Sequence, residues 1–278
     1  MLPTYVTRAV RLCWPVCLSI PLLLGVTSSG AHAQTPPKSS SRLAQAEKTA
    51  EALYLALLAE MQLQSEQPGT AYSLMLEAAK KSADPDTYKR AINIALQNRA
   101  GNAALDAVHA WVKAYPQSTE ALRTLLQLQL TLQKIEPSGE TLGQLLKNTP
   151  DQELPDLWIA VGQSYTKVQE STAAITVLER QLRPWLDKPE YGSDAWATLG
   201  RVQWAAKQKQ SALASLQKAL TYPVTHQTDV LGVFVTELLQ TAPEQVQAVI
   251  EAYLSQSVAD LGVRMSYVRY LLGKEKMP

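Results

Sequence analysis

A chain of 278 residues, 46% of them hydrophobic, can bury a sizeable core, and 12 Gly, a single Phe and abundant Ala, Leu and Gln favour helix. Its 26 Lys and Arg stand against 25 Asp and Glu, which leaves no field strong enough to suggest nucleic acid or an anionic membrane surface as a partner. Both cysteines, Cys13 and Cys17, lie well ahead of Gln34, so a chain trimmed there has no disulfide, thiol nucleophile or thiolate metal site.

The amino terminus reads as a secretory signal peptide over residues 1–33. Arg8 and Arg11 precede an apolar stretch from Leu12 to Val26, and the small-x-small triplet Ala31-His32-Ala33 predicts cleavage after Ala33. The stretch is shorter than the roughly 20 residues that span a bilayer, and Pro15 and Pro21 interrupt it. The alternative is a membrane anchor formed by an uncleaved amino terminus. Trp14-Pro15-Val16 before Cys17 does not resemble the small-residue box of a lipidated cysteine. The expected product is a periplasmic protein without a transmembrane segment. Residues 34–41, QTPPKSSS, read as a flexible leader, and 42–278 as the folded part.

From Arg42 onward the chain falls into helical segments of about 12 to 20 residues. Their breakers are Gln67-Pro68-Gly69, Asp84-Pro85-Asp86, Gly101-Asn102, Tyr115-Pro116 and Pro137-Ser138-Gly139. Leu55, Tyr88, Leu122, Trp158 and Trp196 recur near the start of the first helix of each pair, at a spacing of about 34 residues that lengthens along the chain. The upward drift is absorbed by the loop-forming stretches 148–155 and 186–192. A sixth pair is expected over residues 228–256, followed by a terminal helix.

Trp158, Val161, Gly162 and Tyr165, with Ala174 and Leu178 in the following helix, resemble the tetratricopeptide repeat pattern, as do Trp196, Leu199 and Gly200 with Ala212, Leu216, Ala219 and Pro223. The best-matching units are 155–188 and 193–223. Gln203 departs from the pattern where an aromatic is expected, with Trp204 beside it as a substitute, and Ser138 stands where the third unit should have a small Ala. The resemblance implies an all-α, right-handed α-α superhelix of about six helix pairs plus a terminal helix, with a concave inner surface. It also implies that Gly162 and Gly200 mark close helix contacts, answered by Ala174 and Ala212 from the second helices.

Chemistry is sparse. After Ala33 the histidines are His109 and His226, without partner spacing, and HExxH, GxSxG, phosphate-loop and CxxC patterns are lacking. No catalytic residue, metal site or cofactor is expected. Trp158 and Trp196 hold the packing position of the family, whereas Trp204 falls one residue past it and is placed to point into the groove.

The resemblance further implies that partners are bound on first-helix residues. Carried over position by position, this gives a partner groove of Glu60, Lys89, Asn93, Arg123, Gln127, Gln163, Lys167, Arg201 and Trp204. Lys89 and Asn93 resemble the start of a two-carboxylate clamp, but Thr124 and Asp156 break the match. The groove is mainly basic, with Glu60 as its acidic member, which suits an extended protein or peptide partner that is acidic or has a free carboxyl terminus. The expected function is a periplasmic interaction scaffold concerned with cell-envelope assembly, not an enzyme. The alternative is a non-catalytic helical superstructure or accessory subunit of a cell-wall or envelope enzyme. In the final segment Leu261, Met265, Val268 and Leu272 read as the packing ridge of a first helix, which leaves Val263, Tyr267, Tyr270 and Leu271 as an uncovered strip. That strip predicts fraying, self-association or continuation of the repeat array.

Overall fold

A computed structural model describes residues 37–223, 230–256 and 260–275, with side chains from residue 42 to residue 274. The chain divides into two units, Met1–Arg42 and Leu43–Pro278. The expected signal peptide, residues 34–36 and His226 lie outside the described residues.

The described residues form thirteen α-helices. They are α1 (Pro37–Gln64), α2 (Pro68–Ser82), α3 (Pro85–Gln97), α4 (Gly101–Ala114), α5 (Thr119–Thr131), α6 (Ile135–Asn148) and α7 (Leu154–Tyr165). There follow α8 (Ser171–Leu186), α9 (Gly192–Ala205), α10 (Lys209–Ala219), α11 (Val230–Thr241), α12 (Pro243–Leu254) and α13 (Leu261–Glu275). Short connections make consecutive helices antiparallel neighbours. The result is an α-α solenoid of six pairs, odd-numbered helices first and even-numbered second, with α13 as a further first helix.

Local chemistry sets the boundaries. Proline occupies the first turn of α2, α3, α7 and α12, where its missing N–H costs nothing. Asp84 caps α3 by accepting from the Thr87 N–H at 2.9 Å, and Ser118 caps α5 by accepting from the Ala121 N–H at 3.2 Å. The turn inside a pair places Glu66, Arg99, Gln133 and Lys207 in left-handed backbone, at φ of 57°, 57°, 57° and 63°. Two sequence boundaries shift. Helix α1 begins at Pro37, inside the stretch read as a leader, because a proline at the start of a helix is already set to helical φ. The break before α6 lies ahead of Ile135, and Pro137 and Gly139 belong to its first turns.

Two hydrophobic clusters run along the stack. One links Ala59 in α1 to Leu128 in α5, and the other links Leu122 in α5 to Val263 in α13. Helix α5 serves both, Leu125 and Leu128 facing one and Leu122, Leu126 and Leu130 the other.

The small-residue reading needs correction in detail. A Cβ on Gly200 would lie 2.5 Å from Cε1 of Phe234 and 3.2 Å from Cβ of Ser215, so the glycine admits the next first helix as well as its own partner. At Gly162 the nearest atom is Nη1 of Arg201 at 3.0 Å, so this glycine makes room for an arginine from the next unit rather than for Ala174. Ser138 is buried because its hydroxyl meets the Tyr165 hydroxyl at 2.8 Å, while donating to the Ile135 carbonyl at 2.6 Å. Gln203 is also buried, accepting from the Ser215 hydroxyl at 2.7 Å, and Trp204 does not replace it.

Helix α13 turns a different side inward from the one expected. Val263 is fully buried, and Ser266 donates to the Gly232 carbonyl at 3.1 Å and pairs with the Thr236 hydroxyl at 3.0 Å. Those bonds rotate the helix so that Tyr267 and Tyr270 pack on the core while Leu261, Met265, Val268 and Leu272 are exposed.

Candidate functional site

Eight of the nine groove residues lie on first helices, and Lys167 stands in the turn just past α7. The structure reveals what holds those helices side by side. Arg201 reaches Glu237 through two bonds of 2.5 and 3.0 Å, and Trp204 donates to the Thr241 hydroxyl at 3.1 Å. Both contacts advance together along α9 and α11, so successive first helices run parallel.

An ion pair also joins the first helices at the α1/α3, α3/α5 and α5/α7 steps. Glu60 accepts two bonds from Arg90, at 2.6 and 2.7 Å. Lys89 reaches Glu120 at 2.7 Å and Asp86 at 3.2 Å, and it lies 5.6 Å above the Trp111 ring. Arg123 reaches Glu153 at 3.3 Å. Hydrogen bonds from Arg90 hold the Glu60 carboxyl below its ordinary range. The Glu120 and Asp86 carboxylates push the Lys89 ammonium upward.

The basic ladder is therefore largely a set of ion pairs between units. Lys89, Arg123 and Arg201 are each matched by a carboxylate on the next first helix, or just before it, and at the α1/α3 step the polarity is reversed, with Glu60 as the carboxylate and Arg90 on the next first helix. Arg201 is the strongest departure from an open groove, being only 4% exposed between Gly162 and Glu237. Its Nη1 has no hydrogen-bond partner among the described residues. Trp204 is half-buried and joins α9 to α11, with Lys209 5.8 Å from its ring.

What remains open is polar and lightly charged. Asn93, Gln127, Gln163 and Lys167 are exposed, and Lys167 is the groove cation that makes no ion pair among the described residues. Gln127 and Lys167 are brought together across a cleft of about 340 Å³ between α5 and α7, lined also by Leu130, Thr131, Gln133 and Ser164. Its rim is braced, since Oε1 of Gln133 accepts from the Gln169 N–H at 3.0 Å. A side chain entering there would meet the Lys167 ammonium and the Gln127 amide as donors suited to a carboxylate, while the Thr131 and Ser164 hydroxyls donate to the Gln127 and Ala160 carbonyls of their own helices. His109 is exposed, and no group of three or more His, Cys, Asp or Glu is placed to hold a metal among the described residues.

Sequence reasoning missed the acidic partners Glu120, Glu153 and Glu237. Their signal is a carboxylate roughly one repeat beyond each basic residue, Glu120 following Lys89, Glu153 following Arg123 and Glu237 following Arg201.

No family model and no curated protein matches the chain. Among solved structures it is similar to the crystal structure of MamA protein, with 15% identity and a TM-score of 0.36 over 63% of this chain and 92% of that one. It is also similar to the P58(IPK) TPR domain, with 14% identity and a TM-score of 0.32 over 88% of this chain and 72% of that one.

Proposed function

We propose that this chain is a non-catalytic periplasmic scaffold that binds a polypeptide partner along its first-helix face, in the service of envelope assembly. The observation that carries the reading is the α5/α7 cleft, where Lys167, left out of the ion-pair ladder, stands with Gln127 on a braced rim. An acidic side chain or a free carboxyl terminus is the chemistry it suits. The ladder supplies a floor of fixed spacing, which lowers the ordering cost of binding an extended chain. Export rests on the signal-peptide pattern of residues 1–33, and no helix among the described residues is long and apolar enough to cross a membrane.

Calorimetric titration of residues 34–278 with pools of acidic and neutral decapeptides, each with a free or amidated carboxyl end, tests the binding. Lys167→Glu with Gln127→Ala is expected to weaken the acidic pool by about tenfold, the worth of one charge-assisted hydrogen bond. Equal binding by wild type and the double variant would overturn the cleft. The export reading predicts a periplasmic product beginning at Gln34, and an intact mass retaining Met1 would refute it.

A further inference from the structure

The step from α9 to α11 is filled from within. Trp204 lies three residues beyond Arg201 and lays its indole against Thr241, which lies four residues beyond Glu237. One step further, Gln240 stands three residues beyond Glu237, and Gly273 stands four residues beyond Arg269. The aromatic plug is thus replaced by an amide, and its landing site by a residue without a side chain. A Cβ on Gly273 would meet nothing within 4 Å.

The consequence is a slot of about 670 Å³ between the carboxyl-terminal halves of α11 and α13, within the range of small-ligand sites. Leu239, Pro243 and Tyr270 give it apolar walls, and Thr236, Gln240 and Ser266 give it polar ones. Two cations line it as well, Arg269 and Lys274, and neither makes an ion pair among the described residues. Glu237, the acidic side chain on the facing stretch of α11, is committed to Arg201.

We propose that this slot is a second binding site, which takes an aromatic side chain at the carboxyl end of a partner polypeptide and holds the terminal carboxylate on Arg269 and Lys274. The fold supplies the template for the occupant. In the preceding step an indole fills the corresponding space, its N–H donated to a hydroxyl and a lysine ammonium near its face. In the slot Lys274 lies 6.0 Å from the Tyr270 ring, and the Thr236 and Gln240 side chains offer the polar edge. An aromatic ring placed there recovers apolar burial that Gln240 and Gly273 leave unmade, and the carboxylate meets two cations that make no ion pair among the described residues. The site stands apart from the α5/α7 cleft and does not depend on it.

The test uses residues 34–278 and a dye-labelled hexapeptide of glycine and serine ending in tryptophan, read by fluorescence anisotropy. Wild type is expected to bind the free-acid peptide. Amidating the terminus, replacing the tryptophan by alanine, or changing Arg269→Glu with Lys274→Glu should each weaken binding by about tenfold or more. Gly273→Trp fills the slot from an open helical position, so it should abolish binding without lowering the melting temperature. Lys167→Glu should bind as wild type, which separates this slot from the cleft between α5 and α7. The proposal is overturned if the free-acid peptide fails to saturate by about 1 mM, if the amidated peptide binds as well, or if Gly273→Trp binds undiminished.

Discussion

The two halves of the solenoid are held together by different means. The amino-terminal cluster is built around alanines such as Ala59, Ala71, Ala91 and Ala104, whereas the carboxyl-terminal one is built mainly from Leu and Val with Trp158 and Phe234. Alanine lets helices approach closely but buries little apolar area, and stabilisation follows area at about 25 cal/mol per Å². The lateral contacts differ in the same sense. Glu60–Arg90, Lys89–Glu120 and Arg123–Glu153 are partly exposed, whereas Arg201 is nearly closed off from water beside Glu237. Exposed pairs contribute about 0 to 1 kcal/mol each. In the amino-terminal half they set register more than they add stability, and in the carboxyl-terminal half packing and charge are interdependent.

The sharpest way to probe that contrast is to add a side chain at a packed glycine of the carboxyl-terminal half and at an open one of the amino-terminal half. Gly200→Leu would drive atoms into the Phe234 ring, whose nearest carbon already lies 2.5 Å from a would-be Cβ. A loss of about 3 kcal/mol or more is expected. Gly69 has nothing within 4 Å of its Cβ position, so Gly69→Ala should stabilise by about 0.5 kcal/mol through the reduced freedom of the unfolded chain. Urea denaturation of both variants measures the difference, and equal effects would mean that Gly200 is no more tightly packed than Gly69.

The ion pairs can be separated by the same logic. Glu237→Ala strands a guanidinium that is 4% exposed and whose Nη1 already lacks a partner, at an expected cost of about 3 kcal/mol. Glu120→Ala leaves Lys89 half-exposed with Asp86 still 3.2 Å away, and the loss should be far smaller than for Glu237→Ala. A Glu120→Ala protein as damaged as Glu237→Ala would put the amino-terminal pairs on the same footing as the buried one.

How much of this was legible depends on whether a feature repeats in residue type or only in geometry. Tyr88, Leu122 and Trp158 recur by type, and each is a buried residue of a first helix. The carboxylates that neutralise the ladder carry only the faint signal of standing about one repeat beyond each basic residue, and a pair such as Lys89–Glu120 becomes a contact only when two units are laid side by side. The orientation of α13 was not legible. Apolar residues occupy two of its faces, and what chooses between them is the bonding of Ser266 to Gly232 and Thr236. Within the expected groove, the exposed positions Asn93, Gln127 and Gln163 were readable from helix register. The burial of Arg201 was not, since it depends on the space left by Gly162 in the preceding unit.

A titration probes the larger cluster alone. Burial pushes the Tyr165 phenol up to about 12, while its bond to Ser138 acts in the opposite direction. The folded value lies above the unfolded one, near 10, so this contribution is complete below about pH 10 and is lost as the pH rises through about 12. The loss should reach about 2 to 3 kcal/mol. Tyr165→Phe should flatten that alkaline slope. It should cost only about 1 kcal/mol near neutrality, because Ser138 still donates to the Ile135 carbonyl. A wild-type stability unchanged between pH 9 and 12 would show that the phenol is not sealed in the core.

The smallest expected effect concerns the turns, which both halves share. Glu66, Arg99 and Gln133 in the amino-terminal units and Lys207 in a carboxyl-terminal one hold left-handed backbone without glycine. A side chain in that conformation costs about 1 to 2 kcal/mol. Glycine would remove the strain but would give back about 0.4 to 1 kcal/mol by enlarging the freedom of the unfolded chain. The balance favours glycine by about 0.5 kcal/mol wherever the side chain does nothing else. Lys207 is exposed and its side chain makes no ion pair among the described residues, so Lys207→Gly should raise the melting temperature slightly. Gln133→Gly should lower it, because the Gln133 amide accepts from the Gln169 N–H and donates to the Leu130 carbonyl at 3.3 Å. Calorimetric scans of the two variants with opposite signs would show that the turn geometry is common to both halves, while the work done by its side chain is particular to the α5/α7 step. The same sign in both would mean that the brace on the cleft rim adds nothing to the fold.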